Sequence, residues 1–198
     1  MLIGLGGFAG SGKDAAADIL CDQFGFRRTS FAAALKDEIQ VALAAKLIPE
    51  GLSQVGQEAF LTCLALDQLD PFVKPTTPEM RLLLQQWGTE FRRAQSVNYW
   101  VRKVRNAWYA LGRPNTVVTD VRFYNEVDWV KSESGITAVV QRIYRHYETG
   151  VLEYMHESER LPYDLNAFDL TIDNTRTLKH LVGEVSRFHE KAYVRLAA

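Results

Sequence analysis

Residues Gly6 to Asp14 read GGFAGSGKD, and the stretch has every part of a phosphate-cradling loop except the last. Gly7, Gly12 and Lys13 satisfy G-x-x-x-x-G-K, but Asp14 stands where the commoner pattern has a hydroxyl residue. Gly7, Gly10 and Gly12 can take backbone angles at which successive N–H groups converge on phosphate oxygens. A helix opening near Lys13 aims its positive dipole end at the same point, and Lys13 reaches the β- and γ-phosphates. By residue usage alone a G-x-x-x-x-G-K-[STD] match arises in roughly one chain per hundred of this length; here it also falls between a strand and a helix. The competing reading is a dinucleotide fingerprint, G-x-G-x-x-A, through Gly4, Gly6 and Ala9. That reading leaves Gly12 and Lys13 without a role, and no acidic residue follows the second strand as it requires. The Asp14 carboxylate is a hard oxygen ligand able to hold Mg²⁺ directly or through water, and it would equally cap the helix or favour its dipole.

Outward from the loop, MLIGLGG (1–7) is a short buried strand. SGKDAAADILCDQFG (11–25) shifts to helical spacing, with Ala15, Ile19, Leu20 and Phe24 on one face and Gly25 as the stop. RRTSFAAALKDEIQVALAAKL predicts a long helix capped by Ser30. Residues 49–78 are less regular, hold a short helical stretch, and read as an insertion that covers something. Thr77, Pro78 and Glu79 form a strong helix start, and VNYWVRKVRNAWYALG predicts another helix ending at Gly112. NTVVTDVRF, ITAVVQRIY and AFDLTIDN are strands; NEVDWVKSES and TLKHLVGEVSRFHEKAYVRL are helices. Strands that alternate with helices and lack polar alternation predict an α/β fold of three layers, a central parallel sheet with helices on both faces.

Composition sets the outer limits. The 198 residues suit one domain, and 47% hydrophobic with 24% charged residues is ordinary for a globular protein. A formal net charge of −1 argues against stable nucleic-acid binding. Cys21 and Cys63 form no disulfide framework or C-x-x-C pair, so each reads as a structural thiol in a reducing compartment. His146, His156, His180 and His189 show no metal-ligand spacing. No basic-then-apolar leader and no apolar run of about 20 residues is present, which points away from membranes and toward the cytoplasm.

Taken in order, GGFAGSGKD, SFAAALKDE, LLLQQWGTEFRRAQSVNYWV, VVTDVRFYNE, VVQRIYR, HESE and TIDN resemble the deoxynucleoside monophosphate kinases of tailed bacteriophages, small relatives of adenylate kinase. The likeness spans most of the chain outside 49–75. W-G-T-E-x-R-R, D-V-R-F-x-N-E and the lysine–aspartate loop together make it specific, and Asp after the loop lysine is that family's own variant. The resemblance implies a P-loop NTPase fold over residues 1–198, with a mainly helical acceptor-binding region at 30–112 and a small lid at about 143–163. It also implies transfer of the γ-phosphoryl group of MgATP to a deoxynucleoside 5′-monophosphate. ATP would be held by Gly7, Gly10, Ser11, Gly12, Lys13, Asp14 and Ala15 with Arg142 and Asn174, and Mg²⁺ by Asp14 and Asp120.

Each residue then has a physical role. Asp120 ends the apolar strand TVVTD, where open α/β sheets place their ligand chemistry, and Arg122 is similar to the family's phosphate-contacting arginine. Arg92 and Arg93 follow Gly88, and planar guanidinium groups clamp phosphates bidentately. Adjacent helical residues diverge by about 100°, so one of the two, Arg93, is expected at the acceptor phosphate and the other on the surface, with Glu90 placed to orient one of them. Lys36 matches the family's lysine facing the acceptor, whereas Ala33 departs from its usual polar residue. Trp87, Tyr99 and Trp100 are candidates to stack on the base, with core packing the commoner fate of such aromatics. Lys13, Arg93, Arg122 and Arg142 would neutralise the transferring group. Arg145 precedes the lid, and His156, Ser158 and Glu159 match the family's H-x-S-E motif. Two rivals stay open: an enzyme like dephospho-CoA kinase, which takes Ser or Thr at position 14 and has no counterpart of WGTEFRR, and a nucleotide-binding switch without acceptor chemistry. Partners beyond ATP and the monophosphate are not expected, and a homodimer is left open.

Overall fold

The computed structural model describes residues 1–142, 160, 161 and 164–197, with residues 196 and 197 as backbone alone. The segment that carries most of the expected lid, with Arg145, His156, Ser158 and Glu159, lies outside the described residues. The chain divides into two compact units, residues 1–30 with 106–198, and residues 31–105.

The first unit is built on five strands: β1 (Leu2–Gly6), β2 (Arg27–Thr29), β3 (Thr116–Val118), β4 (Ile136–Gln141) and β5 (Leu170–Asp173). All pair in parallel, in the order β2-β3-β1-β4-β5, with Ile3 opposite both Val117 and Ile136. β1 and β3 are wholly buried, and β4 is buried except at its last residue. Both faces of these strands are covered, which is why their sequences show no polar alternation. Ile3, Leu5, Ala138, Val140 and Ile172 pack with Ala16, Ala17 and Leu20 of α1 (Lys13–Phe24) and with Leu181, Val185 and Phe188 of α7 (Leu178–Ala197). On the opposite face Gly4 lies against Val130 of α6 (Tyr124–Ser132). The result is three layers around a parallel sheet. Parallel strands put all their carboxyl ends on one edge. The chain turns from the β2–β3 side to the β4–β5 side across central β1, so that edge is the place for a ligand crevice.

β2 departs from the sequence reading, which runs RRTS straight into a helix. Two of its three residues are exposed, and among the described residues it pairs only with β3, as charged edge strands do.

The second unit is helical: α2 (Phe31–Ala45), α3 (Gln54–Ala65), α4 (Pro78–Gln85), a π-helical segment Gln86–Arg93, and the first part of α5 (Tyr99–Ala110), within which the unit boundary falls. The Thr77 hydroxyl accepts from the Met80 N–H at 3.2 Å and Pro78 opens α4, as the start signal predicts. Residues 49–78, irregular in the sequence, hold α3, which packs into the core of this unit. Phe60 and Cys63 of α3 are fully buried, and the Phe60 ring stacks on Trp87 at 6.2 Å and 23°.

The π-helical segment is the WGTEFRR motif itself. A Cβ at Gly88 would lie 2.9 Å from Leu35 Cδ2, and the Trp100 indole donates to the Gly88 carbonyl at 2.9 Å. Such widened turns recur at functional sites, and here the widening replaces the ordinary helical spacing on which the Arg92–Arg93 expectation rests. Among the described residues no helix is long and apolar enough to cross a membrane.

Candidate functional site

The loop Gly7–Gly12 joins central β1 to α1 at the carboxyl edge of the sheet. α1 is capped by Gly12, left-handed at φ +98° and without a side chain to spend on the first-turn N–H groups. Those donors therefore face outward as an anion cradle. Glycine suits the position because φ +98° strains any other side chain, and a Cβ would fall 2.1 Å from Asn174 Nδ2 and displace it. That amide donates to the Ser11 carbonyl at 2.8 Å, so Asn174, at the end of β5, clips the loop in place. Ala15, the last of the expected ATP-binding residues, is half-buried and packs against the α1–α7 core.

Lys13 folds back over the loop, its ammonium donating to the carbonyls of Gly7 and Phe8 at 2.7 Å each. Burial, and after it the Arg122 guanidinium, lowers its pKa to about 8, against the opposing pull of Asp14 and Asp120. Lys13, Arg122, Asp14 and Asp120 thus share one electrostatic neighbourhood. Arg142, just past β4, brings Nη1 to 3.5 Å from the Gly10 carbonyl.

Arg122 is held from behind. Glu126, only 2% exposed, accepts from the backbone N–H of Arg122 at 2.7 Å and of Phe123 at 3.1 Å. A buried carboxylate is tolerated when such donors satisfy it. Glu126 is the last residue of D-V-R-F-x-N-E, and the structure gives it the positioning role that the motif alone does not reveal.

Asp14 is engaged by an unexpected partner. Arg28 of β2 places Nη2 on Asp14 Oδ1 and Nη1 on Asp18 Oδ1, the latter at 3.0 Å. The Asp14 side chain remains 68% exposed. Among the described residues no group of three or more histidine, cysteine or acidic side chains forms a ready metal cage. The donor set nevertheless fits Mg²⁺, which keeps several waters and is bound through one or two carboxylates plus substrate phosphates.

In the second unit the charged centre is Glu38 of α2, to which the sequence reading assigns no role. Its Oε1 accepts from Trp87 Nε1 at 3.0 Å and Arg92 Nε at 2.6 Å. Its Oε2 accepts from the Tyr99 hydroxyl at 2.8 Å and from the Lys103 ammonium. Burial pushes the Glu38 carboxyl up, but the four donors outweigh it and hold the pKa at about 2. A signal exists in the sequence: Phe31, Leu35, Ile39 and Leu43 mark the inward stripe of α2, and Glu38 sits on it.

This arrangement corrects three expectations. Arg92 is not a surface residue; it is half-buried, paired with Glu38, and stacked 4.5 Å over Phe91 and 5.0 Å over Tyr99. Trp87 and Trp100, at 1% and 4% exposure, are core residues whose indole N–H groups are spent on Glu38 and Gly88. Neither ring is offered to a base, because its faces are already packed. Tyr99 is half-buried, as is Arg93 beside Arg92, and Lys36 places its ammonium 5.3 Å over the Phe72 ring.

A parallel sheet with a glycine loop and lysine after its central strand defines the class: an α/β protein of the P-loop fold. No family model matches the chain. Over 198 residues it is 28% identical to a protein of Acanthamoeba polyphaga mimivirus described as a "putative deoxynucleotide monophosphate kinase", covering 93% of this chain and 94% of that protein. The relative is viral, from a mimivirus and not a bacteriophage. Similar solved structures include shikimate kinase from Aquifex aeolicus, 15% identical over 98% of this chain and 99% of that one with a TM-score of 0.47. Dephospho-CoA kinase from Campylobacter jejuni is 15% identical over 96% of both chains, with a TM-score of 0.42.

Proposed function

We propose that this protein is a kinase that moves the γ-phosphoryl group of ATP onto a deoxynucleoside 5′-monophosphate in the cytoplasm. The observation that carries the phosphotransferase reading is the Lys13 arrangement, a half-buried ammonium over a glycine cradle with Arg122 in its field and Arg142 at the loop. The choice of acceptor is supported by the mimivirus relative, whose likeness runs through nearly the whole chain.

The first-turn N–H groups and Lys13 would hold the donor phosphates, with Arg122 and Arg142 neutralising the charge that develops between donor and acceptor. Mg²⁺, held by Asp14 and Asp120, would supply further neutralisation of the phosphates. Arg93 and Lys36 are assigned to the acceptor phosphate, with Arg92 held in place by Glu38. The attacking phosphate oxygen is ionised near neutral pH, so alignment and charge neutralisation suffice without a general base.

A coupled ADP-release assay against each deoxynucleoside and ribonucleoside monophosphate tests the proposal. At least one deoxynucleotide should raise ADP release far above the rate with ATP alone. Slow hydrolysis that ignores every acceptor would instead identify a nucleotide switch. Arg93→Lys keeps the charge but loses the bidentate fork. It should raise the KM for the monophosphate about tenfold, roughly 1.4 kcal/mol of binding, and leave the KM for ATP nearly unchanged. Equal rises for both substrates would remove Arg93 from the clamp.

A further inference from the structure

Position 14 is occupied by a carboxylate in a loop whose ligand is a polyanion. A hydroxyl there is neutral, whereas Asp14 adds a negative charge that repels the phosphates the loop must hold. With no metal bound, Lys13 and the helix N-terminus are what the loop offers the phosphates, so the added charge calls for a counterion of its own. The structure supplies one from a different element. Arg28 projects from edge strand β2, whose backbone is fixed by the pairing of Arg28 with Val117 and Thr29 with Val118. Its two amino groups divide between Asp14 and Asp18, carboxylates one helical turn apart on the same face of α1.

We propose that Arg28 is the residue that lets a carboxylate stand at position 14: by pairing with Asp14 it keeps the loop able to bind a nucleotide's phosphates. The proposal rests on the nucleotide-binding reading of the loop. It differs from an ordinary surface ion pair, which would matter little to anything. With side chains 40% and 68% exposed, the pair adds little to stability, and its effect belongs to ligand binding. It differs as well from a direct phosphate contact by Arg28. A direct contact would persist whatever occupies position 14; a counterion is needed only while Asp14 is charged.

A double-mutant cycle separates these cases. ATP binding is measured by titration calorimetry in excess EDTA, so that metal plays no part, for the wild type, Arg28→Gln, Arg28→Lys, Asp14→Asn and the Arg28→Gln/Asp14→Asn double variant, each checked for an unchanged thermal midpoint. Arg28→Gln should weaken ATP binding about tenfold. Arg28→Lys should stay within about threefold of the wild type, because the charge is kept. Asp14→Asn should bind at least as tightly as the wild type, and adding Arg28→Gln to it should change affinity by less than about twofold. An Arg28→Gln loss of equal size in both backgrounds, or no loss in either, overturns the counterion role. Absence of ATP binding by the wild type would overturn the nucleotide reading itself, a result distinct from an additive cycle.

Discussion

Lys13→Ala should remain folded and lose roughly 10²–10³ of kcat, the usual scale for removing a preorganised group that stabilises transition-state charge. The fold should survive because the ammonium is held below its ordinary pKa of 10.5, at about 8, by burial and Arg122. Removing a charge that the folded state disfavours costs it nothing, so the loss is confined to the two hydrogen bonds to the Gly7 and Phe8 carbonyls. The same value sets a pH dependence. Phosphate binding favours the charged amine, which the free loop already carries below pH 8. Above pH 8 the free side chain has lost its proton and binding must take one up. Affinity for ATP should therefore fall about tenfold between pH 7 and pH 9, and the fall should be absent in Lys13→Ala. Calorimetry in buffers of different ionisation heat reads the proton directly. A variant that keeps more than about a tenth of wild-type kcat, a barrier change below roughly 1.4 kcal/mol, would show that the loop is not catalytic.

What the sequence makes visible and what it hides follow from how far each feature depends on distant residues. The glycine loop is legible because its backbone angles demand glycine locally, and Gly25 and Gly112 end their helices in left-handed conformations for the same reason. Thr77 and Pro78 announce α4 by capping chemistry that acts within one turn. β2 is hidden because a charged three-residue edge strand has no hydrophobic period to reveal it. The π-helical segment is hidden because α- and π-helical residues share propensities; Leu35 pressing on Gly88 and Trp100 bonding its carbonyl belong to other helices. Local pattern also misleads about the aromatics. Trp87 and Trp100 lie beside the motif arginines in sequence, yet their side chains are buried in the core of their unit. Arg28 and Glu38 act through partners 10 to 65 positions away, and the residues around each do not name those partners.

The largest stability effect is expected at Glu38. Glu38→Gln keeps the shape of the side chain and one acceptor oxygen, but it turns an amide NH₂ toward donors that already point inward. It also leaves Arg92 and Lys103 without their counter-charge. Breaking a buried ion pair from one side costs about 3–5 kcal/mol; Lys103, at 42% exposure, can recover some solvation, which places the expected loss near the lower end. The thermal midpoint of the 198-residue protein should fall by roughly 6–12 °C. The pH dependence shows whether charge is the cause. Glu38 titrates near 2 in the folded protein, below its ordinary 4.5, so its contribution is fully present above pH 4.5 and is lost as pH falls toward 2. The stability gap between wild type and Glu38→Gln should therefore be constant from pH 7 to pH 5 and shrink by about half at pH 3. Urea unfolding across that range measures it. A gap that does not close in acid would mean that Glu38 acts by packing alone, and Arg92 would then be held by its stacking on Phe91 and Tyr99 without the carboxylate.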